Sequence, residues 1–352
     1  MCIRDRLSSI LERAPLARAT LDTQISLPRA LGKIDYDLIH FFAHGDAPVW
    51  GLGGASTLSV LDLIPLRFPE LYQRSKILPR YQLARYLERK AIEGASGLLA
   101  ISQCTKNDLV QILDVDPGKI AVTPLAVSTR FLEQVPVGSV GKRTREAEKY
   151  REQNGFGFDD KVVAYLGGLD PRKNVLFLLD LLKRLTEEMR EPPFLLLAGD
   201  YSQQKEYPQL KSRISELGLQ NRVVEAGFVD DINLVSFYQA ADLFLFPSLY
   251  EGFGFPVLEA MAAGTVVVAG KNSSMPELSD GSFQGEKGIF LLEDDNIGVW
   301  VRTVRDLFGA SSKLGEIGGA GNKRAHEFTW KRTARLTVEA WKEFGKSSAS
   351  SE

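Results

Sequence analysis

From residue 161 onward, short runs of β-branched and leucine residues alternate with amphipathic stretches, the pattern of parallel βα units. "KVVAYL" reads as a strand. After the polar "GGLDPRKN" comes a helix in which Val175, Leu178, Leu179, Leu182, Leu185 and Met189 share one face, with Asn174 as its N-cap. The rhythm continues through strand "FLLLAG", helix "LKSRISELG", strand "RVVEAG", helix "LVSFYQAA", and strands "LFLFPS" and "TVVVAG". This half, with about six strand-like runs, predicts one doubly wound domain of usual sheet size. The front half repeats the beat with about four: "DLIHFF", "TLSVLD", "GLLAIS" and "KIAVTP", the helical "ILPRYQLARYLERKAIEG" preceding the third.

The expected fold class is therefore α/β with two Rossmann-like halves. The chain then divides into a front domain at 1–135, a polar connection at 136–160, a second domain at 161–328, and a C-terminal helix and tail at 329–352. "LSSILERAPLARATL" reads as helix after "MCIRDR", which has no pattern of its own.

Composition narrows the function classes. With 352 residues, 44% hydrophobic and 25% charged, the chain has room for two packed domains. A net charge of −2 gives no nucleic-acid footprint, because counterion release needs a dense positive surface. Cys2 and Cys104 suggest neither a disulfide framework nor a zinc site, and a reducing compartment follows. No apolar run approaches a membrane span, so the cytoplasm is the expected location.

Chemistry concentrates in "LYEGFGFPVLEAMAAG", where Glu251 and Glu259 stand eight positions apart. Pro256 suits the first position of a helix and Gly264 its stop, which puts Glu251 in the loop leaving "LFLFPS" and Glu259 in the first helical turn. Both then lie at the carboxyl edge of the sheet, where open α/β sheets bind ligands. Glycines 252 and 254 let the backbone approach a ligand, and a helix N-terminus attracts phosphate. Carboxylates there accept hydrogen bonds from sugar or ribose hydroxyls. Glutamates near a helix start are also favoured by the macrodipole alone, which is the plainer reading of the pair. Arg172 and Lys173 precede another helix, so two cations and free amides would converge on a pyrophosphate; a solvated basic turn is the alternative.

The whole string resembles the E-x7-E signature of the GT-B glycosyltransferases of family 4, the group 1 glycosyltransferases, and especially their mannosyltransferases. "YLGGLDPRKN" resembles the family's diphosphate loop, and "GFVDD", "LDLIPLRFPELY" and "LLAISQCTKNDL" resemble further family segments. The resemblance implies two facing Rossmann-like domains and retaining, metal-independent transfer of a sugar from a nucleoside diphosphate. Glu251 would position the donor sugar as the catalytic residue. Arg172, Lys173, Gly254 and Phe255, with the amides at 254 to 256, would hold the diphosphate. Glu259 would take the ribose, with Phe228 and Val229 near the base, a core role being the alternative for the last two. Asp62 and Gly168 would line the reacting sugar or face the acceptor. No cofactor is implied beyond the substrate, for which "PRKN" favours GDP-mannose over UDP-sugars.

Two positions depart from the family: Gly168 stands where many members carry arginine, and Leu61 where many have histidine before the aspartate. The family's first strand and glycine-rich loop have no counterpart before "DLIHFF", so the chain is expected to be an N-terminally incomplete version of a longer enzyme, a naturally shortened sheet being the alternative. Asp35/Asp37 and Asp114/Asp116 match the D-x-D string of metal-using transferases but precede strands in turn-like positions, and no metal is expected. His44 reads as an incidental polar residue near a strand end. The expected acceptor is a glycan or a lipid-linked glycan of surface polysaccharide assembly. The basic, tyrosine-rich stretch at 67–90 would suit peripheral contact with the inner face of the plasma membrane; a solvated helix face is the other reading. The rival functions are a nucleotide-sugar-binding module without turnover and a sugar-nucleotide epimerase. A dinucleotide oxidoreductase would want G-x-G-x-x-G, which "GGLDPRKN" does not supply.

Overall fold

The computed structural model describes residues 22–50, 52–72, 79–139, 143–293 and 296–349. The helix expected at 7–21 lies outside them. Two compact units are present. The first runs to Pro124 and resumes at Lys331, and the second spans Leu125–Trp330.

The first unit carries four parallel strands, β1 (Leu38–Phe41), β2 (Ala55–Val60), β3 (Gly97–Ala100) and β4 (Ile120–Val122), paired in sequence order. They coincide with the four runs expected. Two longer helices cross between them, α1 (Pro79–Gly94) and α2 (Gln103–Leu113). Leu58, Val60, Ile92, Leu98, Leu109 and Ile120 form the core.

The second unit builds on six parallel strands: β5 (Val162–Leu166), β6 (Phe194–Ala198), β7 (Val223–Gly227), β8 (Leu243–Phe246), β9 (Val266–Gly270) and β10 (Ile289–Leu292). Their order is β10-β9-β8-β5-β6-β7. Counted from β5, this is the doubly wound order 3-2-1-4-5-6, and the winding reverses between β5 and β8. Strands β8 and β9 are buried throughout, as interior parallel strands must be, whereas every residue of the edge strand β7 is half-buried. The longer helices of this unit are α3 (Arg145–Gln153), α4 (Val175–Glu188), α5 (Tyr207–Glu216), α6 (Leu234–Ala240), α7 (Phe255–Ala262), α8 (Ile297–Gly309) and α9 (Leu314–Ala325). In α4 the expected apolar face is buried from Val175 to Leu185, while Met189 lies past the helix end. Asn174 occupies the N-cap position, but in the left-handed region and without a side-chain cap.

A last helix, α10 (Trp330–Ala349), packs on the first sheet: Ala340 and Phe344 cluster with Leu99, and a Cβ on Gly97 would come within 2.1 Å of the Phe344 ring. The tail thus completes the first unit's core.

The polar stretch expected as a surface connection is partly structural. Its helix α3 lies against α6. The reason is Arg151, whose buried guanidinium donates to the carbonyl oxygens of Ala240 (2.7 Å), Gly157 (3.0 Å) and Asp160. Asp242 joins the cluster by pairing with Arg143 and accepting the Val162 N–H at 2.8 Å. Charge in the sequence read as solvent exposure; here one arginine satisfies three backbone acceptors. Arg151→Met should lower the stability of the chain by roughly 3 kcal/mol, because the acceptors lose their donor in a buried setting. Urea unfolding would show it as a fall in midpoint at unchanged slope.

Candidate functional site

The reversal between β5 and β8 brings two loops together at the carboxyl edge of the second sheet. One follows β5 and turns at Pro171–Lys173 in a short 3-10 helix, where the Asp170 carboxylate accepts the Arg172 N–H at 3.0 Å. The other leaves β8 and reaches Gly254, which adopts φ +96° before α7 begins. A side chain at Gly254 would be strained, and its Cβ would sit 2.3 Å from Met275 Cε.

At this junction the Glu251 carboxylate is buried and held by three donors. Lys173 Nζ lies 2.7 Å from Oε1, Arg172 Nη1 lies 3.0 Å from Oε2, and Ser248 Oγ donates to Oε1 at 2.6 Å. Arg172 also donates to the Tyr250 carbonyl, and its Nε, buried, has no hydrogen-bond partner. The backbone of Glu251 is clamped as well. Its N–H donates to Ser273 Oγ at 3.0 Å, and its carbonyl accepts from Ser274 Oγ at 3.1 Å. Asn272 Nδ2 donates to the Ser248 carbonyl at 2.9 Å, and Ser273 itself sits at φ +45°. A three-residue polar turn after β9 therefore fixes where the carboxylate points.

Helix α7 starts one residue earlier than its proline suggested. Pro256 is its second residue, Glu259 lies beyond the first turn, and the helix ends at Ala262 before Gly264 at φ +81°. Two expectations change. Proline has no N–H, so the amides that this terminus can offer an anion are those of Gly254 and Phe255, not three in a row. Glu259, no longer at the positive helix end, is half-buried and accepts from Tyr238 Oη at 2.8 Å. Burial raises its pKa to about 7, with the Asp231 charge adding to the rise and the Tyr238 hydrogen bond opposing it. A carboxylate kept partly desolvated near a crevice is a common mark of a binding site.

The other expected residues separate. Phe228 follows β7 and is 74% exposed, whereas Val229 is buried. Only Phe228 is thus available to a planar ligand from solvent. Gly168 lies in the loop after β5, where its carbonyl accepts from Tyr165 Oη at 2.8 Å; Gln204 Oε1 occupies the space a side chain would enter, 3.3 Å from a built Cβ. Asp62 belongs to the first unit and accepts the Ile64 N–H at 3.0 Å. His44, also in that unit, pairs with the buried Glu88, which takes Arg85 at 2.5 Å. Asp114 ends α2 in the left-handed conformation and Asp116 caps the next turn, which accounts for that D-x-D string; Asp35 and Asp37 are exposed ahead of β1. Part of the basic stretch, 73–78, lies outside the described residues, and of the remainder Arg89 and Lys90 both pair with Glu93.

A family model described as glycosyl transferases group 1 matches residues 146–313, which contain this cluster. That match lies wholly within the second unit. The chain is similar to the Escherichia coli O-antigen chain mannosyltransferase B, 27% identical over 280 residues covering 78% of this chain and 66% of that protein. It is 25% identical to the serotype-specific mannosyltransferase WbdA of the same organism, over 94% of this chain and 39% of that protein. It spans less than two thirds of either relative. In structure it resembles Anabaena HepE solved in complex with UDP, with a TM-score of 0.71 at 22% identity, covering 90% of this chain and 81% of that one. The fold is that of the GT-B glycosyltransferases, built from two parallel-sheet Rossmann-like domains. Among the described residues no helix is long and apolar enough to cross a membrane.

Sequence reasoning named Arg172, Lys173, Glu251 and Glu259 but missed the polar residues that support them: Ser248, Asn272, Ser273, Ser274 and Tyr238. "FPS" before the glutamate and "KNSSMP" after a strand were visible as small polar residues at strand ends, the positions from which loops are fixed.

The Glu259 carboxyl yields a measurable consequence. A carboxyl whose folded pKa is raised favours the fold while protonated; that contribution is complete below the ordinary value of 4.5 and is lost as pH climbs through about 7. Glu259→Gln, which keeps an acceptor for Tyr238, should gain roughly 3 kcal/mol on the native protein between pH 4 and pH 8. Chemical denaturation at both ends of that range reads it; a constant difference would mean that this carboxyl does not titrate there.

Proposed function

We propose that the chain is a retaining glycosyltransferase that moves a hexose, mannose by preference, from a nucleoside diphosphate to a glycan or lipid-linked acceptor of surface polysaccharide. The observation that carries this reading is the convergence of Arg172, Lys173, the α7 N-terminus and two carboxylates at one sheet edge. Lys173, Arg172 and the amides of Gly254 and Phe255 stabilise the charge that builds on the leaving diphosphate, which is where transfer needs help most. Glu251 accepts a hydroxyl of the donor sugar, and Glu259 the ribose. Phe228, exposed at the end of β7, offers a face to the base.

The mannose preference draws on the "PRKN" loop and on the two E. coli mannosyltransferases, and the HepE complex with UDP adds a uridine nucleotide to the donors worth testing. On this reading no metal is needed, since cationic side chains and helix amides face the phosphates.

Glu259→Ala and Lys173→Ala should each weaken binding of the free nucleotide by roughly tenfold or more, the scale of one lost charge-assisted contact. Glu251→Ala should chiefly lower transfer. Calorimetry with GDP and UDP, beside product analysis with labelled GDP-mannose and UDP-glucose and a lipid extract, separates the two effects; unchanged nucleotide affinity in both of the first two variants would remove the site assignment. Donor binding and turnover should also persist in EDTA, and loss restored by magnesium or manganese would overturn the metal-free reading.

A further inference from the structure

The cluster at the phosphate loop is balanced in charge. Facing one another are two cations, Arg172 and Lys173, and two carboxylates, Glu251 and, 3.9 Å from Arg172 Nε, Asp170. Both cations expected to bind a diphosphate are already engaged by Glu251, one on each oxygen. Their exposure is small: 11% of the Arg172 side chain and 17% of the Lys173 side chain meet solvent. A dianion entering here gains two cations only by sharing them with a buried carboxylate, and buried like charges repel with little screening.

Glu251 cannot swing away to relieve that repulsion. Its backbone N–H and carbonyl are tied to Ser273 and Ser274, and Ser248 anchors Oε1. What can change is its partner. A sugar hydroxyl reaching the carboxylate replaces the donor that Lys173 withdraws, so a glycosylated diphosphate leaves every group satisfied. A free nucleoside diphosphate brings an additional terminal-phosphate charge and no hydroxyl to offer.

Resting on the function proposed above, we infer that Glu251 also discriminates the sugar-bearing diphosphate from the bare one, reclaiming Lys173 and Arg172 once the sugar has left and so driving product release. The selectivity lies in an exchange of donors on one carboxylate. Tight capture of the diphosphate by two unopposed cations would stall the enzyme on its own product, and the fixed carboxylate prevents this.

The test compares wild type, Glu251→Gln and Glu251→Ala. Glutamine keeps the shape and the Ser248 contact without the charge; alanine serves if glutamine disturbs folding. Titrations use GDP, UDP, GDP-mannose and UDP-glucose, with Glu259→Gln as the comparison variant. Both Glu251 substitutions should tighten binding of the free diphosphate about tenfold, the scale of one partly screened charge contact, and slow its dissociation. Affinity for the sugar nucleotide should stay level or fall, so that the ratio between the two forms collapses. Glu259→Gln should weaken both forms alike and leave the ratio intact. If wild type binds the free diphosphate and neither Glu251 variant binds it more tightly, the inference is wrong while the donor site stands. If no nucleotide binds to wild type or to any variant, the donor-site assignment fails and the inference falls with it.

Discussion

The candidate site depends on one buried carboxylate compensated by two adjacent cations. Lys173 on one carboxylate oxygen and Arg172 on the other offset the cost of burying Glu251, and the carboxylate in turn offsets the cost of burying the two cations. Topology brings them together. Residues 172 and 251 lie far apart in sequence, but β5 and β8 are hydrogen-bonded neighbours, and the winding of the sheet reverses between them. The crevice opened by that reversal is where both loops emerge.

Around this pair the chain arranges its polar groups in successive supports. Ser248 completes the carboxylate, the turn at 272–274 locks the backbone beneath it, and Gly254 allows α7 to begin close to Met275. Tyr238, buried beneath the helix, reaches Glu259 and gives the second carboxylate a fixed direction. These supports are hydroxyls and amides, whose orientation depends on contacts remote in sequence. Rigid backing of this kind is what keeps a charged site in register with a ligand.

Much of the fold was legible because hydrophobic periodicity survives without tertiary context. All four strands of the first sheet, and the five second-sheet strands marked by β-branched or leucine runs, emerged from pattern alone. The sixth, "IFLL" in β10, is short and follows a glycine-rich turn, and it takes its identity from pairing beside β9. In segment 143–160 the Arg151 charge is turned onto the carbonyl oxygens of Gly157, Asp160 and Ala240, a set of partners that exists only once the loop and the end of α6 are folded together. Within the site, the charged residues could be named from motif spacing, whereas the helix start, the missing amide at Pro256 and the raised Glu259 pKa needed geometry. The role of α10 in the first core was hidden because the partners of Phe344 lie some 250 residues upstream, at Gly97 and Leu99.

The central claim is that the Arg172–Lys173–Glu251 cluster receives a diphosphate. A crystal structure of the chain soaked with the nucleoside diphosphate it binds best tests this most directly. The terminal phosphate is expected within hydrogen-bonding distance of Lys173 Nζ, the Arg172 guanidinium and the Gly254 or Phe255 amide, with the ribose on Glu259. Phosphates bound elsewhere, with Lys173 and Arg172 still closed on Glu251, would contradict it.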